Sequence, residues 1–123
     1  MIYTSNFSKA SRGKYKGLRV AIVDSLLPFT QGLYDVNMKE LAPSRQLKND
    51  FKYRGLSTDG YCEVYVNDIL NSSSEWLDKL SVLVETHSDI TLLCYCGGDD
   101  FCHRHILRTI LEEYGFEIGR EIR

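Results

Sequence analysis

The chain has 123 residues and a formal net charge of -2, with 43% hydrophobic and 26% charged residues. That length suits one domain with a real core, and the balance excludes a disordered chain. The slight negative charge argues against a sequence-independent grip on nucleic acid, which needs a basic face, and no apolar run approaches the roughly 20 residues of a membrane span.

Met1 to Ser5 reads as a weak first strand. The segment up to Gly17 lacks an apolar core followed by a small-residue cleavage site, so no secretory signal is expected. A cytoplasmic protein with its four cysteines as free thiols is the expectation that follows. Leu18 to Asp24 is β-branched and nearly continuous in apolar character, which suits a parallel strand covered on both faces. Ser25 to Pro43 contains both prolines and Gly32 and has little periodicity. It reads as a loop of functional length, with Phe29 and Tyr34 placed to close over a site.

Two helices are expected at Ser44 to Tyr53 (Leu47, Phe51) and Asp59 to Leu70 (Tyr61, Val64, Tyr65, Ile69). From Ser74, a candidate N-cap, Trp76, Leu77, Leu80, Leu83 and Val84 form one apolar stripe at helical spacing. Ile90 to Cys96 is a second buried strand. Beyond it, Ile106, Leu107, Ile110, Leu111 and Tyr114 form another stripe that Gly115 should stop. Phe116 to Ile122 closes the chain as a possible last strand. This order predicts a single α/β domain over residues 1–123, with a small open, mostly parallel sheet and flanking crossover helices, Rossmann-like in kind.

The chemistry concentrates in Cys94-Tyr95-Cys96-Gly97-Gly98-Asp99-Asp100-Phe101-Cys102-His103-Arg104-His105. In an open parallel sheet, ligands bind beyond the carboxyl ends of the strands. Gly97 and Gly98 would let backbone approach a ligand closely, and Asp99 or Asp100 would cap the helix that follows. Cys102, His103 and Arg104 would then share its first turn, where unpaired amides and the helix dipole favour anions and thiolates. Arg104 is the candidate anion grip, with Cys102 as nucleophile and His103 as base. Alternatively, Cys94 and Cys96 point to one strand face and, with Cys102 and His103 or His105, would make a zinc set. The plain alternative is packing. Cys94 suits an apolar core, Cys62 shares a helix face with Tyr65 and Ile69, and His105 and His87 suit solvated surfaces.

The strand Leu92-Leu93-Cys94-Tyr95-Cys96 followed by Cys102-His103-Arg104 and an apolar helix resembles the signature of family 488 of the domains of unknown function. Ile2-Tyr3-Thr4-Ser5, Val23-Asp24-Ser25-Leu26-Leu27-Pro28 and Glu40-Leu41-Ala42-Pro43-Ser44 are similar to other segments of that family, in order. The resemblance implies a small α/β fold with the cysteine turn facing a pocket, and no particular activity. Ser25 and Phe29 stand where some members carry arginine, which implies a less cationic pocket here and room for a ligand with an aromatic part.

The site expected is therefore a small-molecule pocket for an anionic or nucleotide-like compound, which the protein either processes or only sequesters. Ser5, Asp24, Ser25, Gly97, Gly98, Asp99 and Arg104 would bind the ligand, and Cys102 and His103 would do any chemistry. No cofactor is required unless the turn is folded around zinc as a structural or interaction module. Asp24, a carboxylate ending an apolar strand, should face the site or pair with Arg104. On this view Arg104→Ala should leave stability nearly unchanged.

Overall fold

Strands that are apolar on both faces must be covered on both faces, and that requirement sets the architecture. The computed structural model describes residues 1–96 and 101–123. Five strands, β1 (Ile2–Asn6), β2 (Leu18–Ala21), β3 (Val36–Asn37), β4 (Ile90–Cys94) and β5 (Ile118–Glu121), form one sheet in the order β3-β2-β4-β1-β5. Every neighbouring pair is parallel. In β4, flanked on both sides, all five residues are buried. Ile90 stands level with Ile2 on one side and with Leu18 on the other.

Five α-helices accompany the sheet: α1 (Phe7–Ala10), α2 (Arg45–Tyr53), α3 (Thr58–Asn71), α4 (Glu75–His87) and α5 (His103–Glu113). Local chemistry starts three of them. The side chains of Asn6, Ser44 and Ser57 accept from the amides of Lys9, Leu47 and Gly60, satisfying donors that a helix start leaves open. Ser74 precedes α4 as expected, but its side chain makes no capping bond. The expected stripes are the buried faces: Trp76 and Leu80 in α4, and Leu107, Ile110 and Leu111 in α5. Tyr114 is 45% exposed and meets Trp76 edge-on at 5.6 Å.

The sequence reading is thus met in kind: an α/β fold with a parallel sheet. The differences are local. The second and fourth strands end earlier than expected, at Ala21 and Cys94, although the Ile22 amide still donates to the Leu93 carbonyl at 3.0 Å. The long loop contains the two-residue edge strand β3 and 3-10 turns at Pro28–Thr30 and Lys39–Leu41. Elements that short leave no periodicity to read. Among the described residues, no helix is long and apolar enough to cross a membrane.

Strand order positions the site. After β2 the chain moves outward to β3, and after β4 it moves in the opposite direction to β5. The carboxyl ends of β2 and β4 therefore flank a topological switch point, where diverging connections leave a crevice.

Gly17 joins the first turn to β2 with φ +67°, and a Cβ there would lie 1.9 Å from the Asp89 carbonyl oxygen. That oxygen accepts from the Leu18 amide, aligning β2 against β4. Gly17→Ala is expected to cost more than the roughly 1 kcal/mol of an ordinary glycine replacement. Denaturant unfolding should show a lowered midpoint with an unchanged slope.

Candidate functional site

The floor of the crevice is built from the end of β4 and the start of α5. Cys102 is the N-cap of α5, with extended backbone and no capping bond from its sulfur, and His103 and Arg104 open the helix. Cys102 thus stands one position before the first turn in which the sequence placed it. The Cys96 carbonyl accepts from the Asn6 side-chain amide at 3.0 Å and from Arg104 Nη1 at 3.1 Å, so β1 and α5 both hold this turn.

Beneath it lies a cluster of buried charge. Arg104 is fully buried, with Nε and Nη2 donating to the two carboxylate oxygens of Glu121 on β5 at 3.1 and 2.8 Å. Lys9 Nζ adds a third bond to Glu121 at 2.9 Å and also reaches the Ile122 carbonyl. Burial alone would raise the Glu121 pKa, but the Arg104 guanidinium overrides it and holds the carboxyl down at about 2. Arg104 Nη1 also donates to Cys94 Sγ at 2.8 Å, so the buried guanidinium touches the sulfurs as well as the carboxylate.

Three sulfurs gather there. Those of Cys94, Cys96 and Cys102 lie within 4.8 Å of one another, and Cys94 Sγ is 2.9 Å from Cys102 Sγ. Cys94 and Cys102 are buried; Cys96 is half-buried. Hydrogen bonds from Cys102 and then Cys94 pull the Cys96 thiol down to about 2. Its two neighbours are pushed up, Cys94 to about 11, because close sulfurs cannot all ionise. Of the three, Cys96 is therefore the thiol shifted towards its ionised form.

His103 Nε2 lies 2.8 Å from the Ile22 carbonyl oxygen, which can only accept, so Nε2 carries the proton. Nδ1 is left with its lone pair towards Cys102 Sγ at 3.6 Å. Burial holds this imidazole neutral, with its pKa lowered to about 4.

Over the sulfurs opens a cavity of about 580 Å³. Phe51 of α2, Tyr61 of α3 and Phe101 form an aromatic wall, with ring centroids 5.1 to 5.2 Å apart. Cys96 and His103 lie at the floor, and Asp24, Lys48 and Lys52 also line it. Lys39, Arg45 and Lys48 lie 3.5 to 3.7 Å from the Asp24 carboxylate, so among the described residues cations outnumber the anion they surround. Burial opposes ionisation of Asp24, but these cations prevail and lower its pKa. Tyr95 ties the following loop down: its hydroxyl donates to the Ser25 carbonyl at 2.6 Å and accepts from the Leu27 amide at 2.9 Å. Phe29, 60% exposed, meets the rings of Phe7 and Tyr95.

The structure brings Asp24, Ser25, Cys102 and His103 to the cavity. It does not bring Arg104, whose guanidinium is turned into the interior because Glu121 and Cys94 supply its partners. Asp24 faces the cavity as expected, with lysines and Arg45 as partners in place of Arg104. Ser5 is also corrected: it is fully buried and its hydroxyl donates to the Lys14 carbonyl at 3.1 Å. Gly97, Gly98, Asp99 and Asp100 lie outside the described residues. Of the zinc set, the three cysteines meet but His103 is not within their common radius, and His105 lines a different recess with Cys62. A tetrahedral zinc with bonds near 2.3 Å holds sulfurs about 3.8 Å apart. Cys94 and Cys102 are closer than that.

Lys9, Glu121, Lys48 and the aromatic wall were not read from sequence as site residues. Phe51 and Tyr61 were visible only as helix-stripe residues. Lys48 and Lys52 had one available signal, their i, i+4 spacing beside Phe51 on one side of α2.

Fold and site together define a small α/β domain carrying a three-cysteine cluster at the carboxyl edge of a parallel sheet. The chain belongs to the DUF488-N3a family, described as the active DUF488-N3 subclade, whose pattern matches residues 5–115. No curated protein and no solved structure matches the chain.

Two outcomes follow. Arg104→Ala leaves Lys9 as the remaining charged partner of Glu121 among the described residues and should cost roughly 3–5 kcal/mol in denaturant unfolding, as for other broken buried pairs. That reverses the expectation drawn from sequence. The second concerns acid. His103 has an ordinary value of 6.5 and a folded value of about 4, so between them the unfolded chain binds the extra proton and stability falls as pH drops. Glu121 extends the loss from 4.5 down towards 2. His103→Gln should make the fall of the melting temperature shallower between pH 6.5 and 4, the remaining slope there coming from the lowered Cys96 thiol, and leave the lower limb in place.

Proposed function

We propose that this cavity binds a small organic anion with a flat apolar portion and presents it to the sulfur of Cys96. The observation that carries the reading is the half-buried Cys96, beside two buried cysteines and lining an aromatic-walled cavity edged by lysines. About 580 Å³ lies within the range of small-molecule sites. Phe51, Tyr61 and Phe101 suit a planar group such as a nucleobase or a simple aromatic ring. Lys48 and Lys52 suit a phosphate or carboxylate held as a point charge. A nucleotide-like compound combines both features.

The chemistry offered is nucleophilic. A thiolate is the attacking form of cysteine, and hydrogen bonds from the neighbouring Cys102 and Cys94 thiols favour that form at Cys96. His103 is placed to exchange a proton with Cys102, not with Cys96, so it serves the cluster rather than activating the nucleophile directly. This moves the reactive position from Cys102, expected from sequence, to Cys96. The reason is access: Cys102 is only 3% exposed.

Iodoacetamide labelling read by peptide mapping tests the proposal. Cys96 should label faster than Cys62, and its rate should stay flat from pH 8 to 5, where an ordinary thiol slows about tenfold per unit. Adenosine monophosphate should protect Cys96 more strongly than inorganic phosphate does. The Lys48→Ala/Lys52→Ala variant should lose that protection and keep the unprotected rate. Labelling of Cys96 no faster than Cys62, or no protection by adenosine monophosphate or other aromatic monophosphates, would sink the reading.

A further inference from the structure

A thiolate beside two protonated thiols is an arrangement for two-electron chemistry, since one sulfur can be oxidised and another can displace the oxygen. Three features of the cluster assign these parts. Access falls to Cys96, because Cys94 and Cys102 are 1% and 3% exposed. Proximity falls to Cys102, whose sulfur lies within 4.8 Å of Cys96 Sγ and 2.9 Å from Cys94 Sγ, against about 2.05 Å for a formed disulfide. A proton acceptor also stands at Cys102, since His103 Nδ1, 3.6 Å away, has a free lone pair while Nε2 is held by Ile22.

We propose that Cys96 is a site of oxidation by hydroperoxides and that Cys102 resolves the product as a disulfide within the cluster. The proposal deepens the reading of Cys96 as the reactive sulfur, and rests on it. In the first step the Cys96 thiolate attacks the terminal oxygen of a hydroperoxide. The O–O bond breaks, an S–O bond forms, and the departing alkoxide takes a proton from water to leave as an alcohol. Cys96 is then a neutral sulfenic acid, and the charge that kept Cys102 protonated is gone. In the second step the Cys102 sulfur attacks Cys96 Sγ while its proton passes through His103 Nδ1 to the departing oxygen, so the imidazole ends neutral. The S–O bond breaks, and hydroxide leaves with the proton from His103 as water. In sum, one thiolate, one thiol, one hydroperoxide and one proton give a disulfide, an alcohol and water.

The disulfide withdraws the one accessible sulfur of the cluster without touching Lys48 or Lys52. Oxidation is therefore expected to stop alkylation of Cys96 while the mouth of the cavity keeps its charge.

The test uses the full chain, reduced and then treated with hydrogen peroxide, with dimedone present to capture sulfenic acid and tryptic mass mapping as the readout. Expected for the unaltered protein is loss of two hydrogens per chain, a disulfide containing Cys102, and little final dimedone adduct. Cys102→Ser should accumulate the adduct at Cys96. Cys96→Ser should slow oxidation of the cluster about tenfold or more. A disulfide containing Cys62, adduct persisting at Cys96 in the unaltered protein, or equal oxidation rates with and without Cys96 would each overturn the proposal. The first two of these results are read on the unaltered chain, so they do not depend on a variant folding. The outcomes also separate the two proposals. Protection of Cys96 by adenosine monophosphate without any disulfide rejects only this one, and a Cys102 disulfide without such protection rejects only the ligand reading.

Discussion

The Arg104–Glu121 pair is the interaction on which the site depends. A guanidinium with no exposure is tolerable only with near-complete partnering, because desolvation of a lone buried charge costs several kcal/mol. Glu121 supplies a bidentate carboxylate, and the third direction is filled by Cys94 sulfur and the Cys96 carbonyl. One cation thereby fastens α5 to β5 and to the turn after β4. Lys9 gives the carboxylate a second cation, and Arg104 Nη1 reaches the sulfurs through Cys94. Stability and the sulfur site are thus joined: the guanidinium that locks the last strand in place also touches the cysteine cluster.

The cavity above is a different environment made by different segments. Its walls are rings from α2, α3 and the residue before Cys102, and its charged edge is a carboxylate among lysines. Buried ionic chemistry below and apolar surface above meet at Cys96. Parallel sheets allow such separation because the chain diverges on either side of the switch point, leaving space that neither connection fills. The fold positions the site, and the side chains define what it does.

Much of the fold was legible because its signals are local. Continuous apolar strands marked the buried sheet, Ser44 announced α2, and helical spacing marked the stripes of α4 and α5. The site was legible as a place, since three cysteines in nine residues beside a strand end are conspicuous. The roles were less legible, and Arg104 shows why. Its bidentate geometry suits a ligand phosphate or a protein carboxylate equally well, and the partner that decides is on the least convincing strand of the sequence. Ser5 misled for a similar reason: a strand-end hydroxyl is as readily used by a neighbouring carbonyl as by a ligand. The proton on His103 depends on the Ile22 carbonyl, a backbone atom that side-chain sequence does not announce.

The parallel pairing of β1 with β5 has a practical consequence. Neighbouring strands running the same way send residue 1 out at one rim of the sheet and residue 123 out at the opposite rim, where the sulfurs lie. A label, tether or solid support joined through residue 1 sits behind the molecule and leaves the cavity facing solution. The same attachment through residue 123 stands at the rim that carries the cysteines, two residues from the carboxylate that holds Arg104.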